Sequence, residues 1–291
     1  MIRLETSGCA VDIACRGAEL RRWRAHGHEM IWVPDAAYWA DTAPLLFPVV
    51  GWTNGGVARV GGRSYPLGLH GFARDSLFAV ETQSADAATL VLSSSPASHA
   101  LYPFDFTLRV TYEAGPGTLR VGLAVDNTGL GPMPYACGLH PGFRWPFAGG
   151  DPSDYRIVFE AAERPEVPLI TAAGLFGTGR RRVPLAGLVL PLSPELFAAE
   201  ALCFLDARSR SLAFQSADGP ALVVTTEHFR HVALWSRPGA PFLSIESWSG
   251  YGDPDGYAGD LFDKPSMTIL PPGATARHGA VFELKAVEAA G

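Results

Sequence analysis

No apolar stretch in this chain approaches the roughly 20 residues that a membrane-spanning helix needs. The opening residues Met1-Ile2-Arg3-Leu4-Glu5-Thr6 lack the basic-then-apolar order of a secretion signal. Cysteine is scarce: Cys9, Cys15, Cys137 and Cys203 in 291 residues, with no CxxC pair and no disulfide-scaffold density. These features predict reduced thiols in a cytoplasmic protein with no membrane partner; the even count leaves a Cys9–Cys15 bridge as the alternative. Basic charge is thin, 23 Lys and Arg against 29 Asp and Glu for a net −6. The one basic run, Arg180-Arg181-Arg182, is expected in a solvated loop beside Gly177 and Gly179, so no nucleic-acid partner is expected.

Several chemical signatures are missing as well. The glycine cluster from Gly51 to Gly62 has no GK[ST], which excludes a phosphate-cradling loop, and no GxSxG elbow is present. Glu227-His228-Phe229-Arg230-His231 lacks the HExxH order of a zinc site and is expected at a surface strand or loop. Asp253-Pro254-Asp255-Gly256 begins like a calcium loop, yet Tyr257 and Lys264 stand where liganding oxygens belong, so it reads as a turn. No metal and no cofactor are expected.

What the chain does contain is a large apolar fraction, 47% against 18% charged, enough for a sizeable core. Phe104, Phe106, Leu108, Val110 and Tyr112 alternate with less apolar neighbours. Leu119, Val121, Leu123 and Val125 do the same after the turn Gly115-Pro116-Gly117. Period-two runs joined by such a turn predict an antiparallel hairpin with one buried face. Thr89–Leu92, Ala221–Val224 and Val281–Leu284 read as further strands. The best helix candidate is short, Ser193–Ala198, with serine at the N-cap, proline at the first helical position and glutamate in the first turn. With 32 Gly and 24 Pro spread throughout and no linker, the pattern predicts an all-β sandwich of mostly antiparallel strands in one domain, residues 1–291.

Three distant segments each offer one proton-transfer group: Leu69-His70-Gly71-Phe72-Ala73-Arg74, Gly138-Leu139-His140-Pro141-Gly142-Phe143 and Ser244-Ile245-Glu246-Ser247-Trp248. Met133 to His140 reads as one strand, and Pro141 biases His140 toward an extended backbone. A histidine capping a strand end is the structural alternative. Arg74 offers a planar fork for a hydroxyl, carboxylate or phosphate, or a surface partner for Asp75 or Glu81. Glu246 lies in an apolar run where its charged form is disfavoured, with Trp248 offering a flat face to a sugar. Strand alternation leaves an outward-facing Glu246 open. Two imidazoles and one carboxylate, if they converge, suffice to open and close a hemiacetal without a cofactor.

These segments, with Gly17-Ala18-Glu19-Leu20, Tyr38-Trp39, Ala43-Pro44-Leu45-Leu46-Phe47-Pro48-Val49-Val50-Gly51, Gly259-Asp260 and Leu270-Pro271-Pro272-Gly273, resemble the aldose 1-epimerase (mutarotase) family over almost the whole chain. The likeness is to its lacX-type branch. The resemblance implies a galactose mutarotase-like β-supersandwich. It implies Glu246 as general base, His140 as general acid, His70 near the sugar ring oxygen, and Asp206 as a holder of sugar hydroxyls; Arg74 and Trp248 are expected to bind the sugar through their own side-chain chemistry. Two departures stand out: Trp52 replaces an arginine common in relatives, and Ser247 replaces a proline that follows the glutamate in this branch.

The expected partner is a small sugar, bound by a monomer or homodimer. The expected reaction interconverts α and β anomers through the open-chain aldehyde. The alternatives are a hexose-6-phosphate 1-epimerase, with Arg74 and Arg144 as phosphate ligands, and a non-catalytic carbohydrate-binding protein on the same fold.

Overall fold

The computed structural model describes residues 1–285, so the last six residues of the expected 1–291 unit lie outside the described part. It is nearly all β, built of antiparallel sheets, as the sequence pattern predicts. Among the described residues no helix is long and apolar enough to cross a membrane, and the four cysteines are unpaired.

The largest sheet has nine strands. From one edge they are Val189–Pro191, Arg156–Phe159, Ser211–Gln215, Ala221–Glu227, Thr275–Lys285, Thr118–Asn127, Phe106–Gly115, Ala87–Ser93 and Ala79–Gln83. The predicted hairpin lies at its centre, registered from Phe106↔Asn127 to Gly115↔Thr118. Gly117 takes φ +68°, which the two-residue turn requires and glycine supplies without a steric cost. Phe106, Leu108, Val110 and Tyr112 are buried while Thr107, Arg109 and Thr111 are only partly so, which is the alternation a one-faced sheet imposes.

The buried face of that sheet packs against a six-stranded one. There the order is Leu202–Phe204, His231–Trp235, Phe242–Trp248, Gly138–Leu139 and Leu45–Leu46, with Gly142–Arg144 also paired to Phe242–Trp248. Rings carry the contact between layers: Phe47 lies 4.9 Å from Phe106, Phe159 4.9 Å from Phe204, and Phe143 5.3 Å from Phe282. An N-terminal four-stranded sheet, starting with Ile2–Thr6, adds Trp23 to the same core at 6.1 Å from Phe282.

Four local expectations change. Met133 to His140 forms two short strands, because Met133–Tyr135 pairs with Thr268–Leu270 while Gly138–Leu139 pairs in the six-stranded sheet. The chain crosses between them at Ala136 and Cys137, whose N–H groups donate to the Pro48 carbonyl and Ser249 Oγ. Ser193 precedes a 3₁₀ turn, Pro194–Phe197, and makes no capping hydrogen bond. A capping box instead opens the one-turn helix Pro96–His99, through Ser95 and Ser98. Arg180-Arg181-Arg182 ends a strand, Phe176–Arg182, hairpinned to Glu166–Ile170.

Candidate active site

The strand Phe242–Trp248 carries a buried carboxylate, Glu246, within an apolar run. Every residue in it is buried, because both faces of the six-stranded sheet are covered here. Alternation sends Leu243 and Ile245 into the main core. It sends Ser244, Glu246 and Trp248 to the other face, where Glu246 and Trp248 line a cleft of about 390 Å³. Directly across from Glu246 stands Ala233, whose small side chain leaves that floor open.

His140 follows the short strand Gly138–Leu139, and its Nε2 lies 3.3 Å from Glu246 Oε1. Its Nδ1 is 2.8 Å from Ser244 Oγ. Two indoles enclose the ring, Trp39 at 5.0 Å between centroids and Trp235 at 5.7 Å. Gly142 makes this enclosure possible, since any Cβ there would press on Trp39 Cζ3 at 2.8 Å. Buried this way, the imidazolium is disfavoured and the His140 pKa falls. The same desolvation raises Glu246 well above the usual carboxylate range, opposed by the Trp248 indole N–H, which donates to Oε2 at 3.0 Å.

His70 reaches the cleft through an uncommon backbone. It takes φ +63° and Gly71 takes +73°, two successive left-handed residues. The bend is held because His70 N–H donates to the Gly51 carbonyl (2.9 Å) while the His70 carbonyl accepts from Phe47 N–H (3.1 Å). A Cβ on Gly71 would collide with the Phe47 carbonyl, so glycine is required there. The Gly51 N–H donates to His70 Nδ1 at 3.1 Å, which leaves the ring proton on Nε2 and makes neutral His70 a hydrogen-bond donor. Burial first, then His140 and Arg74, hold its pKa well below the ordinary 6.5. The two imidazoles meet edge to face at 5.4 Å.

Five of the six expected site residues therefore line one cleft: Glu246, His140, His70, Arg74 and Trp248. Arg74 pairs with Asp41, also a cleft residue, and not with Asp75 or Glu81. Trp248 is only 5% exposed and its N–H is spent on Glu246, so it holds the carboxylate more than it presents a face to a sugar.

Asp206 is the correction. On the strand Leu202–Phe204 it is Cys203 that faces the cleft, and Asp206 follows in a turn on the surface. There its carboxylate accepts from Arg230 at 2.8 Å and its N–H donates to His231 Nδ1 at 2.9 Å. His231, expected at the surface, is buried. Asp253, expected in a simple turn, is also buried and pairs with Lys264 at 2.8 Å.

Sequence reasoning did not single out Trp235, Arg237, Phe176, Cys203 or Ser244, all in or against the cleft. Only Ser244 carried a readable signal, two residues before Glu246 on a strand and hence on its face. Trp52 lines the cleft, 40% exposed, with its ring against Gly174. Ser247 keeps a regular ladder on both sides, opposite Val232 and Leu139. No cluster of three or more His, Cys, Asp or Glu suited to a metal occurs among the described residues.

Comparison with known proteins bears on the family and the fold. The profile of the family described as aldose 1-epimerase matches residues 1–171. The chain is 30% identical over 283 residues to the chromosomal protein LacX of Lactococcus lactis subsp. lactis, covering 93% of this chain and 95% of that one. A galactose mutarotase related enzyme from Lactobacillus acidophilus superposes with a TM-score of 0.90 at 28% identity, covering 99% of each chain. A galactose mutarotase-like protein from Lactobacillus casei also gives 0.90, at 29% identity, over 98% of this chain and 99% of that one. The chain belongs to the aldose 1-epimerase family.

Proposed function

We propose that the protein is an aldose 1-epimerase that interconverts the anomers of a free aldose through the open-chain aldehyde. The observation that carries this reading is the buried Glu246 Oε1 and His140 Nε2, 3.3 Å apart in a cleft, with the fixed donor His70 beside them. Glu246 as carboxylate takes the proton of the anomeric hydroxyl while protonated His140 gives one to the ring oxygen, and the C1–O5 bond breaks. Rotation about C1–C2 presents the other carbonyl face, and the same groups run in reverse to close the opposite anomer. His70 Nε2–H donates to the ring oxygen as charge builds on it. Groups placed this way typically supply about 10²- to 10⁴-fold each.

The sugar-phosphate alternative has less behind it, because Arg74 is already paired with Asp41, Arg237 at the cleft lies 5.7 Å over the Trp235 ring, and Arg144 is not among the residues that line the cleft. A purely binding protein has no need of a buried acid and base in contact. The unpaired cysteines fit a reducing cytoplasm.

The test is polarimetric, with freshly dissolved α-D-glucose and α-D-galactose in low-phosphate buffer. Faster decay of the rotation with protein than without is the expected result. No acceleration with these or other free aldoses would remove the reading, and acceleration confined to sugar phosphates would replace it.

A further inference from the structure

We propose that Ser244 and Trp248 are positioning residues that confine one shared proton to the line between Glu246 Oε1 and His140 Nε2. The inference deepens the proposed function and rests on it for its kinetic consequences, but its geometry stands alone.

The outer atom of each group is pinned by a partner that settles where hydrogens sit. An indole nitrogen only donates, so Trp248 Nε1–H makes Glu246 Oε2 an acceptor at 3.0 Å. Any proton on the carboxyl is thereby placed on Oε1, facing His140. On the other side, the Ser244 hydroxyl has a single hydrogen and donates it to the Pro141 carbonyl at 3.1 Å. Its oxygen then accepts from His140 Nδ1–H at 2.8 Å. Neutral His140 thus turns the Nε2 lone pair toward Glu246, opposite in tautomer to His70, whose Nδ1 accepts from Gly51 N–H. One proton faces one lone pair. Moving it from Oε1 to Nε2 converts the neutral pair into carboxylate and imidazolium, the form that can accept from O1 and donate to O5. The two oxygens carried on C1 lie close enough together to meet both atoms at once.

The surroundings favour keeping exactly one proton on the pair. Facing Glu246 are His140, the Trp248 N–H and, two strands across, the neutral Cys203 thiol, whose pKa burial raises. Facing His140 are His70, Ser244, Trp39 and Trp235, with the Arg74 charge further off. Burial works against a second proton on His140 and against the loss of the last one from Glu246.

The experiment combines imidazole ¹⁵N NMR on the sugar-free protein with kinetics of three variants. The proposal expects the His140 resonances to show a protonated Nδ1, and His70 a protonated Nε2. Trp248→Phe keeps an aromatic ring and removes the indole N–H donor. Its kcat should fall about 10-fold or more with KM within about 3-fold. Its high-pH limb should move upward, since the carboxylate has lost a hydrogen bond. Ser244→Ala should lose a similar factor in kcat, and Ser244→Thr should restore it to within about 3-fold. A His140 ring protonated on Nε2 with bare Nδ1 would overturn the proposal whatever the variants do. So would a Trp248→Phe effect confined to KM with an unmoved pH limb, the signature of a stacking face. If the wild-type protein accelerates no aldose, the proposed function fails, while the NMR spectra alone still decide the tautomers.

Discussion

The two main sheets are built from the same element and used in opposite ways. The nine-stranded sheet has strands of up to 11 residues and hides one face in the core, while its other face carries Thr107, Arg109 and Thr111 toward solvent. The six-stranded sheet has shorter strands, yet its central one is buried on both faces. One of those faces completes the core and the other holds Glu246 and His140 away from water. The core and the proposed chemistry are thereby separated by sheet, and within Phe242–Trp248 they are separated by face. A polar group can be buried at Glu246 because the neighbouring sheet supplies the apolar contacts that offset it.

Substitutions in the two sheets should therefore break different properties. The largest effect belongs to Glu246→Gln, which should lower kcat by about 10³-fold while sugar binding stays measurable in a titration. The same variant should gain stability. A buried carboxyl whose folded pKa lies above 4.5 destabilises the fold once pH exceeds that unfolded value. Glu246→Gln should thus melt higher than wild type at pH 7, with the gap closing as pH falls below about 4.5. Leu108→Ala, at the centre of the nine-stranded sheet, should cost about 2–5 kcal/mol in denaturant unfolding while kcat stays within about 2-fold. Asp206→Ala should leave kcat/KM within about 2-fold, because its carboxylate lies outside the cleft on Arg230. The smallest change is expected for Arg109→Ala on the solvent face. Its half-exposed pairs with Glu81 and Asp126 should contribute less than about 1 kcal/mol to unfolding.

The same contrast explains what could be read beforehand. The central hairpin was legible because one wet face makes the apolar residues alternate, and Gly117 marks the turn. Glu246 was ambiguous because a strand covered on both faces shows no such alternation around it. His70, His140 and Glu246 stand out in the sequence through their glycine, proline and aromatic settings and through family resemblance. Local sequence could not place Asp206. Its position depends on which residue of Leu202–Phe204 faces the cleft, and Cys203 takes that place. The Arg74–Asp41 pair joins residues 33 apart, and the Ser244–His140 contact joins residues 104 apart, so only the folded chain displays them.

Glu246 and His140 are proposed to open and close a hemiacetal together. Magnetisation exchange between the α and β anomeric protons of D-galactose and D-glucose at equilibrium tests it most directly, comparing wild type with Glu246→Gln. Exchange should run well above the buffer rate with wild type and at the buffer rate with Glu246→Gln. Equal exchange with both proteins, above that of buffer, would contradict it.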